Sequence, residues 1–423
     1  MAANTNPQLQ TQIIYSIYVR NYTPEGTFRA VIPDLDRIRA LGTDIIWFLP
    51  IHPIGVAGKK GTLGCPYANR DYGTMGDFKA LVQEIHARGM KCMIDVVYNH
   101  TSPDSTLYRE HPDFFYRGAD GKPGNKMGDW SDVIDLDYHN PDLWAYQIES
   151  LKFWAGIVDG FRCDVASFVP LEFWKAARKA VSDVSPDCIW LAETVHQSFG
   201  CLARAHGVPS ELDYDMYEAF DMEYEYDIRE AFDKYLQGKI VLSHYLDMLN
   251  FQEAIYPENY VKLRYMENHD MPRIAGLVPD EKARRNFTSL LYFLKGTVLL
   301  YAGQEFENDH LPSLFEKEPI DRHTGKDLTP LLKTLASIKR ALGVPSYFRA
   351  EADDANDIAV MQRTGDTGRF VGVFSLKGVS AEVPVPAMDG VYENLLGGAS
   401  VTVAAGKLSC AGEPVIIRAP ERD

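Results

Sequence analysis

Cysteine is scarce in this chain: six residues among 423 (Cys65, Cys92, Cys163, Cys188, Cys201 and Cys410), far apart and without a CxxC or CxxH pair. Such scatter argues against a disulfide framework or a zinc ribbon and reads as reduced core thiols. Basic residues are also in the minority, 43 Lys and Arg against 59 Asp and Glu, for a net charge of -16. An acidic surface repels phosphate backbones and anionic lipid heads, so no nucleic acid and no membrane is expected as a partner. A neutral substrate is untouched by that argument. No apolar run reaches the roughly 18 residues of a membrane span. Met1 to Gln12 is polar and lacks the apolar core of a signal peptide, so a cytoplasmic protein is expected. Short-period repeats and low-complexity tracts are missing too. With 46% hydrophobic and 24% charged residues, the composition is that of a folded chain with a large core.

What recurs is an apolar run followed by a helical pattern. Ile13–Val19, Asp44–Leu49, Met90–Val97, Asp159–Val165, Ile189–Glu193, Phe220–Tyr226, Lys262–Met266 and Gly296–Tyr301 read as eight strands. Between them, Pro33 and Gly42 bracket one helix, the expected asymmetry of helix punctuation. Phe78, Leu81, Val82 and Ile85 fall on one face of another, closed by Gly89. Asn140 and Pro141 look like an N-cap and first helical residue, with Trp144, Ile148, Leu151 and Ala155 as the buried stripe and Gly156 at the end. Alternating strands and helices call for a parallel sheet, and eight strands suggest closure into a (β/α)8 TIM barrel over residues 1–343. A short insertion after strand three covers about 100–137, and residues 344–423 read as a small antiparallel β-sandwich domain, with short segments separated by Gly and Pro.

The polar residues that interrupt the apolar runs sit at strand C-terminal ends. Strand three runs into Asp95-Val96-Val97-Tyr98-Asn99-His100, and strand four carries Gly160-Phe161-Arg162-Cys163-Asp164-Val165-Ala166. Strand five ends Leu191-Ala192-Glu193, and strand seven ends Glu267-Asn268-His269-Asp270. In a closed barrel these ends share one face, so distant acids converge. Carboxylates packed together raise one another's proton affinity, and one can stay an acid at neutral pH while a partner remains ionised beside Arg162. An acid and a nucleophile flanking one bond are the apparatus of retaining glycoside hydrolysis.

The stretches DVVYNH, GFRCDVA, LAET and ENHD, in that order, resemble the four signature regions of the alpha-amylase superfamily (glycoside hydrolase family 13). The resemblance covers nearly the whole chain. It implies a barrel that cleaves α-glucosidic bonds, most simply α-1,4 bonds of malto-oligosaccharides or starch, with retained configuration. By the same resemblance Asp164 is the nucleophile, Glu193 the acid and later base, and Asp270 the third carboxylate that holds sugar hydroxyls. His100, Arg162 and His269 match the substrate-binding and charge-positioning residues, and Tyr67 the aromatic platform under the sugar. Two alternatives share these residues: a glucanotransferase or sugar isomerase with the same triad, and a non-catalytic glucan-binding relative.

The chain also departs from the family's pattern. Ser167 and Phe168 stand where many alpha-amylases carry Lys-His for the reducing-side sugar, and Ala68 stands where many exo-acting glucosidases carry Asp. Asn99 resembles the family's calcium-binding Asn, which makes calcium a candidate ion, although in many relatives this Asn only holds its loop. The chemistry itself requires no cofactor. The insertion contains Asp120, Asn125, Asp129 and Asp132, but an EF-hand loop does not fit. His111, His139 and His196 have no metal-ligand spacing, and His196 is placed to reach the pocket rim. The run Asp213–Asp227 interleaves acids with Tyr and Phe and reads as the approach to strand six with one solvated edge.

Overall fold

The structure, a computed structural model, describes residues 5–55, 69–127, 130 and 132–420. The eight apolar runs form parallel strands because each is buried on both faces, inward against the barrel core and outward against helices. They are β1 (Ile13–Ile17), β2 (Ile45–Phe48), β3 (Lys91–Val97) and β4 (Gly160–Asp164). The circuit continues with β5 (Ile189–Ala192), β6 (Met222–Tyr224), β7 (Lys262–Arg264) and β8 (Thr297–Tyr301). Sequential strands are neighbours all the way round, and β8 pairs with β1 to close the barrel. The expected barrel is therefore present. Inside it, Ile14, Trp47, Met93, Leu191, Tyr224, Leu263 and Leu299 form one buried cluster.

Several runs are shorter as strands than as apolar segments. The last begins at Thr297 because Gly296 has φ +125, outside any strand. The sixth stops at Tyr224 because Tyr226 already starts the helix Tyr226–Leu236.

Helix Met75–Ala87 buries Phe78, Leu81, Val82 and Ile85, as their spacing predicts, behind a Thr74–Asp77 capping box. Helix Pro141–Ala155 begins at the Asn140 cap and is followed by Gly156, but its buried stripe differs from the expected one. Leu143, Gln147, Leu151 and Trp154 face inward, whereas Trp144 and Ile148 are half-buried. Trp154 decides the rotation, since its ring packs on His52 (5.1 Å) and Phe78 (5.9 Å).

The Asp213–Asp227 run is also corrected. Its acids do not face water from Asp221 onward: Asp221, Glu223, Glu225 and Asp227 are all buried. Cations from neighbouring elements draw them in. Lys262 Nζ lies 2.6 Å from Asp213, 3.2 Å from Glu223 and 3.5 Å from Asp227. Arg264 pairs with Glu225 at 2.9 Å and Arg178 with Asp221 at 2.6 Å.

Between Pro345 and Ala419, eight further strands form two four-stranded antiparallel sheets. Val360, Val371 and Val373 of one sheet share a core with Val383, Leu408 and Cys410 of the other. Two buried basic side chains meet at the seam between this sandwich and the barrel, Lys339 from the barrel's last helix Thr329–Leu342 and Arg363 from the sandwich strand Ile358–Gly365. Lys339 Nζ donates to the Tyr292 and Leu294 carbonyls, at 3.3 and 3.2 Å. Arg363 donates to the Phe293 and Gly343 carbonyls, at 2.8 and 2.7 Å. They satisfy carbonyls at the C-terminal end of helix Glu281–Phe293, and Arg363 alone reaches across from the sandwich to do so.

Among the described cysteines all are free, and Cys92, Cys163, Cys188 and Cys410 are buried as expected. Cys201 is exposed and departs from the core reading. Among the described residues, no helix is long and apolar enough to cross a membrane.

Candidate active site

Register brings the distant acids together. Val97 of β3 lies opposite Asp164 of β4, and Cys163 lies opposite Ala192 of β5, so Asp164 and Glu193 emerge at neighbouring strand ends. They open into a cavity of about 440 Å³ whose lining includes Asp95, His100, Arg162, Asp164, Glu193, His269 and Asp270. Every sequence-derived site residue among the described ones lines this cavity except Asn99, which is buried and touches His100. Tyr67 lies outside the described residues, as do Cys65, Ala68 and Asp129.

Arg162 is the hub. It is 1% exposed, and its guanidinium carbon stands 5.3 Å from the Trp47 ring and 5.4 Å from the Tyr224 ring. Held between those rings, it touches three carboxylates. Nη1 donates to both Asp95 oxygens at 3.0 Å and to Asp164 Oδ1 at 2.7 Å. Nη2 lies 2.6 Å from Glu193 Oε1. One planar fork thus reaches all three groups, a geometry that a point-charge ammonium could not reproduce.

The remaining contacts differentiate the acids. Asp164 Oδ2 faces His100 Nε2 at 3.8 Å. Glu193 is 8% exposed and its Oε2 accepts from the Val165 N–H at 2.9 Å. Burial raises the proton affinity of Glu193 well above the ordinary carboxyl range; Arg162 opposes this, and the charges of Asp164 and Asp270 reinforce it. Asp95, fully enclosed, is likewise pushed up by burial, to about 7, against the pull of Arg162. The site therefore favours the protonated form of Glu193 more than water would.

Val165 carries an unusual backbone. Its φ of 43 and ψ of 42 lie in the left-handed region, which a β-branched residue enters only under strain. That conformation aims its N–H at Glu193.

The strand-seven loop is braced from behind. Glu267 Oε1 accepts from Arg273 at 2.6 Å and Oε2 from the Ile274 N–H at 2.7 Å, and Arg273 also donates to the Ala302 carbonyl at 2.8 Å. On this brace, His269 Nε2 lies 2.9 Å from Asp270 Oδ2, and the imidazole packs edge-on to Trp47 at 5.7 Å.

Asn99 Nδ2 approaches His100 Nδ1 at 3.2 Å, which makes Nδ1 the acceptor and leaves the Nε2 proton facing Asp164. The Asn99 carbonyl accepts from Leu136 N at 2.9 Å. Lys126 Nζ donates to the Leu136 carbonyl at 3.1 Å, beside Asp135 and Asp137, so a cation of the chain already stands there. Among the described residues no group of three or more His, Cys, Asp or Glu is placed to hold a metal.

Sequence reasoning missed several cavity residues. Tyr18, Tyr72, Leu314, Trp130, Phe199 and Tyr226 all line it, from six separate parts of the chain. Tyr18 and Tyr226 are aromatics close behind barrel strands, a signal that many core aromatics share, and Tyr72, Trp130, Phe199 and Leu314 lie farther along the connecting segments. His196 does reach the cavity, its ring centroid 4.3 Å from that of Tyr226.

A family model described as the alpha amylase catalytic domain matches residues 3–131 and 127–341, and one described as the bacterial alpha amylase C-terminal domain matches 349–417. The crystal structure of an alpha-amylase from Lactobacillus plantarum superposes with a TM-score of 0.92 at 43% identity, covering 97% of this chain and 99% of that one. The maltogenic alpha-amylase AmyB from Thermotoga neapolitana gives 0.85 at 30% identity, covering 98% and 100%. The intracellular maltogenic amylase of Bacillus subtilis is 25% identical over 83% of this chain and 62% of its own length. The chain thus spans about three fifths of that curated relative and of the alpha-amylase MalA from Haloarcula japonica, of which it covers 61%. A catalytic-domain match over most of the chain, with near-complete structural overlap, means that this protein belongs to the alpha-amylase superfamily.

Proposed function

We propose that this protein is a retaining glycoside hydrolase that cleaves α-1,4-glucosidic bonds in malto-oligosaccharides or starch-type glucans. The observation that carries the reading is the pairing of Asp164 and Glu193 across one guanidinium, where burial raises the proton affinity of Glu193. A single fork touching both carboxyls places them on one side of the cavity, as an acid and nucleophile serving one bond require.

In this reading the Asp164 carboxylate attacks the anomeric carbon as the glycosidic C–O bond breaks. The leaving oxygen takes the proton of Glu193. Ionised Glu193 then removes a proton from water, whose oxygen displaces Asp164 from the glucosyl ester and restores both acids. Asp270 and His269 hold hydroxyls of the attacked ring, and His100 steadies Asp164. Every step is carried by the chain's own side chains. The relatives' names support an α-glucan substrate, and one of them, an intracellular maltogenic amylase, supports a cytoplasmic setting.

The same ester can pass to a second sugar instead of water. That alternative draws support from a maltosyltransferase relative of Chlorobaculum tepidum, 31% identical over 42% of this chain. Early appearance of oligomers longer than maltotriose, from maltotriose alone, favours transfer.

The deciding experiment is Asp164→Ala. Maltoheptaose cleavage should fall by at least about 10³-fold with the fold intact. Turnover retained in that variant removes the assignment, as does a product released with inverted configuration by wild type.

A further inference from the structure

β5 runs out into Glu193 and Thr194, and the alternation of a strand sends their side chains to opposite sides of the sheet. Leu191 belongs to the inner barrel cluster and Ala192 to the outer one, so Glu193 turns to the cavity and Thr194 outward. Thr194 borders the cavity beside the acid and is fully buried. Its hydroxyl donates to Asp213 Oδ2 at 3.4 Å. Asp213 opens the short helix Asp213–Met216 between β5 and β6, and the same Oδ2 accepts from Lys262 Nζ at 2.6 Å.

Lys262 has partners enough without Asp213. Across the sheet Ala192 faces Glu223 of β6, and Glu223 faces Lys262 of β7, with its carboxylate 3.2 Å from the ammonium. Asp227 Oδ1 stands at 3.5 Å and the Tyr224 carbonyl at 3.3 Å. The ammonium also lies 4.4 Å from the centre of the Tyr256 ring. Asp227 is held in turn by Gln252 Nε2 at 2.8 Å and the Tyr256 hydroxyl at 2.9 Å. Three carboxyl groups around one fully buried lysine exceed what its charge requires, and a surplus carboxylate is costly to enclose. Of the three, the Asp213 carboxyl is the one hydrogen-bonded to the residue next to the acid.

We propose that Asp213 is a positioning residue for the acid: anchored by Lys262, it holds the Thr194 hydroxyl and so fixes the stretch of chain from which Glu193 reaches the cavity. The inference rests on the proposed hydrolase chemistry. There Glu193 gives a proton to the leaving oxygen and later takes one from water, and its carboxyl has to stand in one place for both transfers. Arg162 and the Val165 N–H grip that carboxyl on the cavity side. The Thr194–Asp213 bond holds the main chain from the other side of the sheet. At 3.4 Å that bond is long, so its loss costs placement more than stability.

The test uses the full chain with maltoheptaose and α-maltosyl fluoride. Maltoheptaose needs the proton of Glu193 on its leaving sugar. The C–F bond instead breaks to give a stable fluoride ion that needs no proton. Because kcat/KM counts steps only up to the first release, it depends on Glu193 for the first substrate and not for the second. In Thr194→Val, which leaves the Lys262 cluster whole, kcat/KM for maltoheptaose should fall about tenfold relative to that for the fluoride, with KM for maltoheptaose in place. Thr194→Ser keeps the hydroxyl and should restore the wild-type ratio. Asp213→Ala should repeat the Thr194→Val pattern, with Lys262 still paired to Glu223 and Asp227; if that variant does not fold, Thr194→Val decides. An unchanged ratio in folded Thr194→Val overturns the proposal, whether both rates hold or both fall together. A Thr194→Ser ratio as low as that of Thr194→Val overturns it too. A wild type that uses neither substrate would instead remove the hydrolase reading itself.

Discussion

Arg162→Lys tests the centre of the site with a single atom group. The lysine keeps the positive charge but ends in one nitrogen, which cannot span Asp95, Asp164 and Glu193 or fill the slot between Trp47 and Tyr224. Two consequences follow in opposite compartments. For stability, a buried carboxylate such as Asp95 loses its double contact, and breaking a buried pair costs about 3–5 kcal/mol; retained charge puts the expected loss near 3 kcal/mol. For activity, Arg162 is the largest influence lowering the proton affinity of Glu193. With that contact weakened and only the Val165 N–H and a more distant charge in opposition, burial and the neighbouring carboxylates weigh more, and Glu193 keeps its proton to higher pH. The acid form is the active one, so the alkaline limb of the kcat/KM profile should move upward. Asp164 also loses the 2.7 Å contact that fixes Oδ1, and such misplacement costs on the order of 10²-fold in rate. The assay is a pH profile of maltoheptaose hydrolysis from acid to alkaline pH, together with urea unfolding. An alkaline limb at the wild-type position, with kcat/KM within threefold, would refute the argument.

Two further predictions concern the scaffold. Burial lowers the proton affinity of Lys339 well below the ordinary lysine value, so the unfolded chain binds more protons and wild-type stability rises with pH up to the lysine range. Lys339→Met lacks that slope; its stability relative to wild type, read by urea unfolding, should fall by up to about 1.4 kcal/mol per pH unit as the pH rises toward the ordinary lysine range, and a constant difference counts against the account. Gly160→Ala places a Cβ 2.7 Å from the Ile189 carbonyl of the neighbouring strand and 3.2 Å from Met93. It should cost about 1–3 kcal/mol in unfolding free energy while leaving the pH profile of activity in place, and a neutral effect would show that the strands can part.

The barrel was legible because its signal is redundant. Eight apolar runs with helical patterns between them leave few topologies, and polar residues stand out at run ends. Asp164, Glu193, Asp270, Arg162, His100 and His269 were found by that contrast, and the structure gathers them around one cavity. The Asp213–Asp227 run was misread because its partners, Lys262, Arg264 and Arg178, lie on other elements, and sequence shows charge without showing pairing. Trp144 and Ile148 were misplaced for a related reason. Helical spacing allows more than one apolar stripe, and the contact of Trp154 with His52 and Phe78 selects among them. Of the packed rings Trp130, Phe168 and Phe199, only Phe168 stood out, by its departure from the family's pattern, since Trp130 and Phe199 come from separate segments with no spacing that links them.

A branched side chain held in left-handed backbone costs on the order of 1–3 kcal/mol, and at Val165 the rest of the fold absorbs that load. Exchange for glycine would release it and, with it, the constraint that points the peptide hydrogen at Glu193. Selection for heat tolerance and selection for turnover therefore pull on this one position from opposite directions. A lineage moving to hotter surroundings would keep the wound spring beside its nucleophile and recruit robustness elsewhere, from outer helices and from the seam with the C-terminal sandwich.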